Sequence, residues 1–216
     1  MYGGGPPILE FDHAVPKYQK HNETRLMHST AGIDLTTPFT NPITGETFRC
    51  VQSDADSFSV EWHVPPQAGV YLDHVHARQD EIIHVKKGAV VIVIDGQSQR
   101  ARTGETVRVP QQKRHYNYNA RQEALVCVLE YQPALDQHRF FQCLAGLMRD
   151  GEVNAKGQVN IPKILYFARR IRSRDPLRPA RIPAPVFKLL LLFFFIYGSF
   201  AGWERQYRQY TGETEA

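Results

Sequence analysis

Between Phe58 and Val64 apolar and polar residues alternate one for one: Phe58, Val60, Trp62 and Val64 against Ser59, Glu61 and His63. A period of two marks a strand with one buried face. Pro65-Pro66-Gln67-Ala68-Gly69 reads as a turn, and further strands are predicted over 70–76, 81–86, 89–94, 97–102, 105–109 and 123–131. Asp95-Gly96 sits between two of them and suits a tight hairpin, because both residues tolerate positive φ. Ala89-Val90-Val91-Ile92-Val93-Ile94 is apolar on both faces, so it is predicted to lie centrally between two layers. Many short strands punctuated by turns predict a sandwich or barrel.

Beyond Pro133 the period lengthens. Phe140, Phe141, Leu144, Leu147 and Met148 form one helical stripe that ends near Gly151. A second helix is predicted from about Pro162, carrying Ile164, Phe167, Ala168 and Ile171 on one side. A third apolar segment runs from Val186 to Trp203. Before about residue 43 there is no sustained periodicity, and Pro, Gly, Thr and Asn dominate. That stretch reads as an arm, with room for one edge strand. The plan is therefore an N-terminal arm (1–43), a β-domain (44–132) and a C-terminal helical extension (133–216), with no internal repeat.

The third apolar segment has more than one destination. From Leu189 to Trp203 a helix extends roughly 22 Å at about 1.5 Å per residue, short of the bilayer core of about 30 Å. Yet a helix apolar all round must be buried in something. Upstream lie Arg169, Arg170, Arg172, Arg174, Arg178 and Arg181 with Asp175 the single acid, and downstream Trp203, Arg205 and Tyr207. These flanks are similar to those of a membrane-associated segment. Packing on the β-domain or a dimer partner and shallow membrane attachment both stay open, and a true span fits least.

Composition changes this picture little. Apolar content of 42% and charged content of 22% are near the globular average, so disorder is not expected. The net charge of +4 is local rather than spread, which argues against a nucleic-acid-binding body. Cys50, Cys127 and Cys143 form no CxxC and no even set, which points to a reducing compartment rather than a disulfide scaffold. The first residues lack the basic-then-apolar order of a secretory signal. The expected setting is intracellular: cytoplasmic, or membrane-associated through 186–203.

The chemistry lies in His74-Val75-His76-Ala77-Arg78-Gln79-Asp80-Glu81. Side chains at i and i+2 of a strand share a face, so His74 and His76 can reach one point, and Glu81 opens the next strand. Two imidazoles and a carboxylate on one face leave open positions on a first-row metal, and His115 would be a fourth ligand. One transition-metal ion is expected, Fe(II) foremost, with Mn, Ni, Cu or Zn also suited to these donors. His84, three residues after Glu81, points to the opposite face. His13, His21, His28 and His138 have no such spacing.

Gly69…His74-Val75-His76…Glu81…Gly88 and Gly104…Pro110…His115…Asn119 together resemble the two sequence motifs of the cupin superfamily. Two departures concern turns: four residues rather than five separate Gly69 from His74, and Gln112 stands where the second motif has glycine. The resemblance implies an all-β core, a jelly-roll barrel of the cupin type, with the arm and the helical extension added. It also implies His74, His76, Glu81 and His115 around one metal, beneath a mouth that admits a small molecule. Physical chemistry agrees: inward polar groups in a dry barrel each cost on the order of 2–7 kcal/mol unless paired, and a cation pairs them.

Cupins host many reactions, so fold does not fix function. The intact ligand set is similar to that of quercetinase-like oxygenases. Size, single cupin unit and helical tail are more loosely similar to small oxidoreductases of fungal polyketide clusters that make salicylaldehyde-type aromatics. The leading expectation is a metal-dependent oxidoreductase, with dioxygenase chemistry included, acting on a small aromatic or polyketide-like compound of secondary metabolism. The alternatives are a metal-dependent isomerase, dehydratase or decarboxylase, and a binding module without turnover. Glu61, His63, Tyr116 and Tyr118 are candidate partners beside the metal, each also explained by surface or rim packing. Asn117 and Asn119 share the parity of His115 and are candidates to line the pocket, Asn119 equally to fasten a turn. A homodimer is expected, and peripheral membrane contact through the apolar segment is open.

Overall fold

The computed structural model describes residues 32–171 and 177–214. Residues 1–31, with most of the expected arm and His13, His21 and His28, lie outside the described residues, as do Arg172, Arg174 and Asp175. The chain order is β1 (Phe39–Thr40), β2 (Thr47–Ser53), β3 (Phe58–Val64), β4 (Gly69–Val75), β5 (Asp80–Lys87), β6 (Ala89–Ile94), β7 (Gln97–Arg102), β8 (Thr106–Val109), β9 (Arg114–Tyr118) and β10 (Leu125–Gln132). Then come α1 (Gln137–Arg149), α2 (Ile161–Arg170), β11 (Arg178–Pro179), α3 (Ala184–Phe200) and α4 (Trp203–Thr211).

The strands form two sheets, β1-β2-β3-β10-β5-β8 and β11-β4-β9-β6-β7. No strand pairing joins the sheets among the described residues, so the expected barrel is a jelly-roll of two facing sheets rather than a closed cylinder. Alternation explains which residues meet between them. Phe58, Val60 and Trp62 on β3 are fully buried, while His63 on the other face is exposed. Every residue of β6 is buried, as its two apolar faces require, and the strand lies between β9 and β7. Asp95 and Gly96 take positive φ in the β6–β7 hairpin. Burying each large apolar side chain contributes about 1.5–3 kcal/mol, which makes this the stable frame of the molecule.

The helices close one end. Phe141, Ala145 and Met148 of α1 join the core between the sheets. The opposite side of α1, through Cys143 and Leu147, packs on Ile164, Tyr166 and Phe167 of α2 and on Tyr207 and Tyr210 of α4. Gly151, with φ of 72°, ends the α1 stripe where the sequence predicts. Asn160 caps α2 by accepting from the Lys163 N–H, with Pro162 in the first turn. The short β11 adds the tail to the edge of β4, placing Arg178 opposite Val75 and Pro179 opposite His74. The helical extension therefore clamps the strand that carries the first histidine.

The third apolar segment, apolar all round, packs against the rest of the chain on one side only. Only Phe187, Leu191 and Gly198 of α3 are buried. Gly198 is required there, since a Cβ would lie 2.4 Å from the rings of Tyr166 and Trp203. Leu189, Leu192, Phe193, Ile196, Tyr197 and Phe200 remain exposed, Phe200 by 90%. At Gly202 the chain bends by 99° into α4, whose helical pattern the sequence reading did not separate. No single helix among the described residues is long and apolar enough to cross a membrane.

Candidate metal centre

β4 and β9 pair antiparallel, His74 opposite His115, with two more residues on β4 than on β9 between the Val70–Asn117 and His74–His115 pairs. This irregularity follows Gly69, where φ is 145° and a Cβ would fall 2.5 Å from the Tyr118 Cα. Only glycine allows so close an approach of backbones. His76 lies one residue past β4, and its carbonyl accepts from the Gln112 N–H at 2.6 Å. Gln112 has φ of 65°, so it adopts the left-handed conformation that the motif glycine would take. The substitution changes the residue and keeps the turn.

His74, His76, Glu81 and His115 converge, all buried, with one ligand atom from each lying within 4.8 Å of the others. Glu81 Oε2 is the shared focus: His115 Nε2 stands 3.3 Å away, His76 Nε2 3.4 Å and His74 Nε2 3.9 Å. The Nδ1 of His74 meets the Leu72 carbonyl at 2.7 Å, and that of His115 meets the Lys113 carbonyl at 2.9 Å. A carbonyl only accepts, so both rings carry a proton on Nδ1 and turn Nε2 inward. Asn117 Nδ2 donates to Glu81 Oε1 at 2.9 Å, leaving Oε2 for the cluster.

The electrostatics suit a cation. Burial works to raise the Glu81 carboxyl, yet the surrounding imidazoles hold it well below the usual carboxylate range. Burial pushes His74 down, with neighbouring His115 and His76 adding to it. Burial also opposes charge on His115, but the Glu81 carboxylate draws its pKa up. An ionised carboxylate and inward-facing imidazole nitrogens are the forms that ligate a metal. The donor spacing matches bonds of about 2.0–2.2 Å to one ion. These residues fit a transition metal, and oxygen and nitrogen donors without thiolate leave its identity open.

His74, His76 and Glu81 line one wall of a cavity of about 430 Å³. Tyr131 and Leu129 come from β10, Phe140, Phe141, Leu144 and Met148 from α1, and Ile161, Ile164, Leu165 and Ala168 from α2. Apart from the ligands, its only charged residues among those described are Glu46 and Lys156. Tyr131 is buried with its ring 5.5 Å from that of His76. Its inward parity on β10 was legible in the sequence, but nothing there showed that a cavity lay beside it. Glu46 accepts from Trp62 Nε1 at 3.1 Å and from the Thr44 hydroxyl at 2.7 Å. Burial raises its pKa, and those two hydrogen bonds only partly offset this.

The other candidates separate. Asn117 reaches the site by holding Glu81. Asn119 is consumed by a turn, donating to the carbonyls of Val64, Pro65 and Glu123 and accepting from the Arg121 N–H. Tyr116 and Tyr118 alternate with His115 onto the other face of β9, where their rings stack at 6.1 Å. Glu61 and His63 lie on the outer face of β3, Glu61 with Arg49 at 3.1 Å and with His63 at 2.9 Å. None of these last five lines the cavity. His84 points away from the cluster, as expected, and bonds Glu130 at 2.9 Å and Thr106 at 3.1 Å. His138 meets Ser53 at 3.1 Å, away from the ligands.

Residues 60–130 match the family described as "Cupin domain". That matched stretch contains the buried three-histidine, one-glutamate cluster, which could hold a metal. Solved structures that it is similar to include KdgF from a Halomonas species, at 19% identity and a TM-score of 0.43, covering 50% of this chain and 98% of that one. Another is a cupin-superfamily sugar phosphate isomerase from Silicibacter pomeroyi, at 20% identity and a TM-score of 0.39, covering 42% of this chain and 60% of that one. A third is the cupin domain of an XRE-family transcriptional regulator from Enterobacter cloacae, at 17% identity and a TM-score of 0.38, covering 40% and 95%. No curated protein matches the chain.

Proposed function

We propose that the protein is a metal-dependent oxidoreductase acting on a small aromatic or polyketide-like compound of secondary metabolism, with oxygen as the co-substrate of a dioxygenase-type reaction. The observation that carries this reading is the ligand cluster opening onto a cavity walled chiefly by aliphatic and aromatic side chains. A transition metal held by His74, His76, Glu81 and His115 would supply open coordination positions and one-electron chemistry. The chain's own contribution is binding, orientation and exclusion of water. Phe140, Phe141, Leu144 and Met148 give a ring an apolar wall to pack against. Burial and the Glu81 charge hold the Tyr131 phenol in its protonated form, a donor beside His76. Asn117 fixes which carboxylate oxygen faces the ion.

A second reading, a non-redox isomerase, dehydratase or decarboxylase, is favoured by Glu46. A carboxyl raised by burial in the cavity wall is suited to moving a proton while the metal polarises a carbonyl. Oxygen uptake measured with metal-loaded protein and a panel of phenolic and polyketide-like aromatics separates the readings. Substrate-dependent consumption supports the oxidoreductase, and turnover unchanged under strict anaerobiosis replaces it with the second reading. Tight binding of the same compounds with no turnover under either condition would leave a binding module.

A further inference from the structure

We infer that the exposed side of α3 is a docking surface for an anionic lipid membrane, on which the helix lies parallel to the surface. Its buried residues, Phe187, Leu191 and Gly198, fall on one side and seat it against α2. At 100° per residue the opposite side is a continuous stripe of Leu189, Phe193, Ile196 and Phe200, flanked by Leu192 and Tyr197. Phe200 is 90% exposed, Leu189 67% and Phe193 60%, so the stripe has no partner among the described residues. A 17-residue helix is about 25 Å long, and one side stays on the protein, so it lies on a bilayer rather than through it.

Charge selects the occupant. From Ala184 to Phe200 there is no acidic residue. Exposed Arg181 and Lys188 stand at the start of the helix and exposed Arg205 beyond its end, none in an ion pair among the described residues. Arg169, also exposed, lies over the Phe195 ring at 5.8 Å. Trp203 and Tyr197 pack together at the same end, the amphipathic aromatics suited to the headgroup level. A two-fold pairing of α3 with a second copy would set Arg181 and Lys188 against Arg205, like against like, with no carboxylate on the helix to relieve them. Anionic headgroups complement all of these charges at once. The surface also adjoins the cavity, since Phe187, Leu165 and Ala168 belong to its wall. None of this depends on the ion.

The test is flotation of the full chain with vesicles of phosphatidylcholine alone or with added phosphatidylserine, beside light scattering of the free protein. Binding should appear with the anionic vesicles and weaken with salt. Phe193→Glu combined with Phe200→Glu should cut it by about tenfold or more. Lys188→Gln, which only removes a surface charge, should cut it roughly fivefold. Both variants should melt as the parent does. Protein that stays out of the anionic vesicle fraction would overturn the assignment. So would a dimer in solution that Phe200→Glu splits, which would make the stripe an interface between copies.

Discussion

Asn117 and Glu81 are locked together: the amide donates to Oε1 at 2.9 Å, and both side chains are at least 98% buried. The bond spends one carboxylate oxygen on orientation and leaves the other facing three imidazoles. Asn117→Ala should keep the fold and lower metal affinity by about 10- to 100-fold, as loss of an outer-shell partner does elsewhere. Competition with a chromogenic chelator measures it. Unchanged affinity would mean that Glu81 is held without the amide.

His76→Ala should lose the bound metal while retaining the sheets. Elemental analysis of protein purified without chelator or nickel resin decides this, with far-ultraviolet circular dichroism as the fold control. A full equivalent of metal in that variant would remove His76 from the ligand set.

Gln112 and Gly69, at opposite ends of the β4–β9 pair, make opposite predictions. Gln112→Gly relieves a left-handed conformation and should stabilise the protein by about 0.5–1 kcal/mol, since the gain exceeds the added freedom of the unfolded chain. Gly69→Ala forces a Cβ onto the Tyr118 backbone and should destabilise by about 2–4 kcal/mol. Urea midpoints report both, and equal midpoints would contradict the turn geometry.

Glu204 gives an acid signature. Burial would raise its carboxyl, but hydrogen bonds from Arg170, Arg208 and Tyr166 hold it at about 2. A depressed carboxyl contributes stability that is complete above its unfolded value near 4.5 and is lost as pH falls toward 2. The site is partly exposed, so screening limits the gain to about 1 kcal/mol. Glu204→Gln should lower the melting temperature at neutral pH and show a shallower loss between these limits. Parallel curves for the two proteins would assign the acid transition to other groups.

Tyr131→Phe should leave metal content unchanged and reduce turnover on the order of 10²-fold if its hydroxyl donates a proton in the reaction. Steady-state rates on whichever substrate consumes oxygen supply the check.

Local patterning made much of this legible. Strand alternation and the HxH spacing brought out His74, His76 and Glu81, the Gly104…His115…Asn119 stretch added His115, the Asp95-Gly96 pair located a hairpin, and the all-apolar β6 declared its central place. Parity alone could not distinguish Asn117 from Asn119. Both face inward, and only the turn beyond β9 determines that one binds a carboxylate and the other three carbonyls. Glu61 and His63 take the surface alternative, because the polar face of β3 looks outward, away from the cluster. The helical wall of the cavity was not legible, because helical periodicity shows that α1 and α2 have apolar sides without showing what they cover. The two-residue β11 has too little sequence to carry a pattern.

That short strand links the two halves of the molecule in a practical way. Strands β4, β5 and β9, with the residue just past β4, supply every donor atom, whereas the tail supplies most of the cavity walls and grips the backbone beside His74. Exchanging Leu144, Met148 or Ile164 would therefore reshape what is admitted while leaving the ion's cradle intact. On the proposed reading, a chain of this design can change what it binds by editing its helices alone.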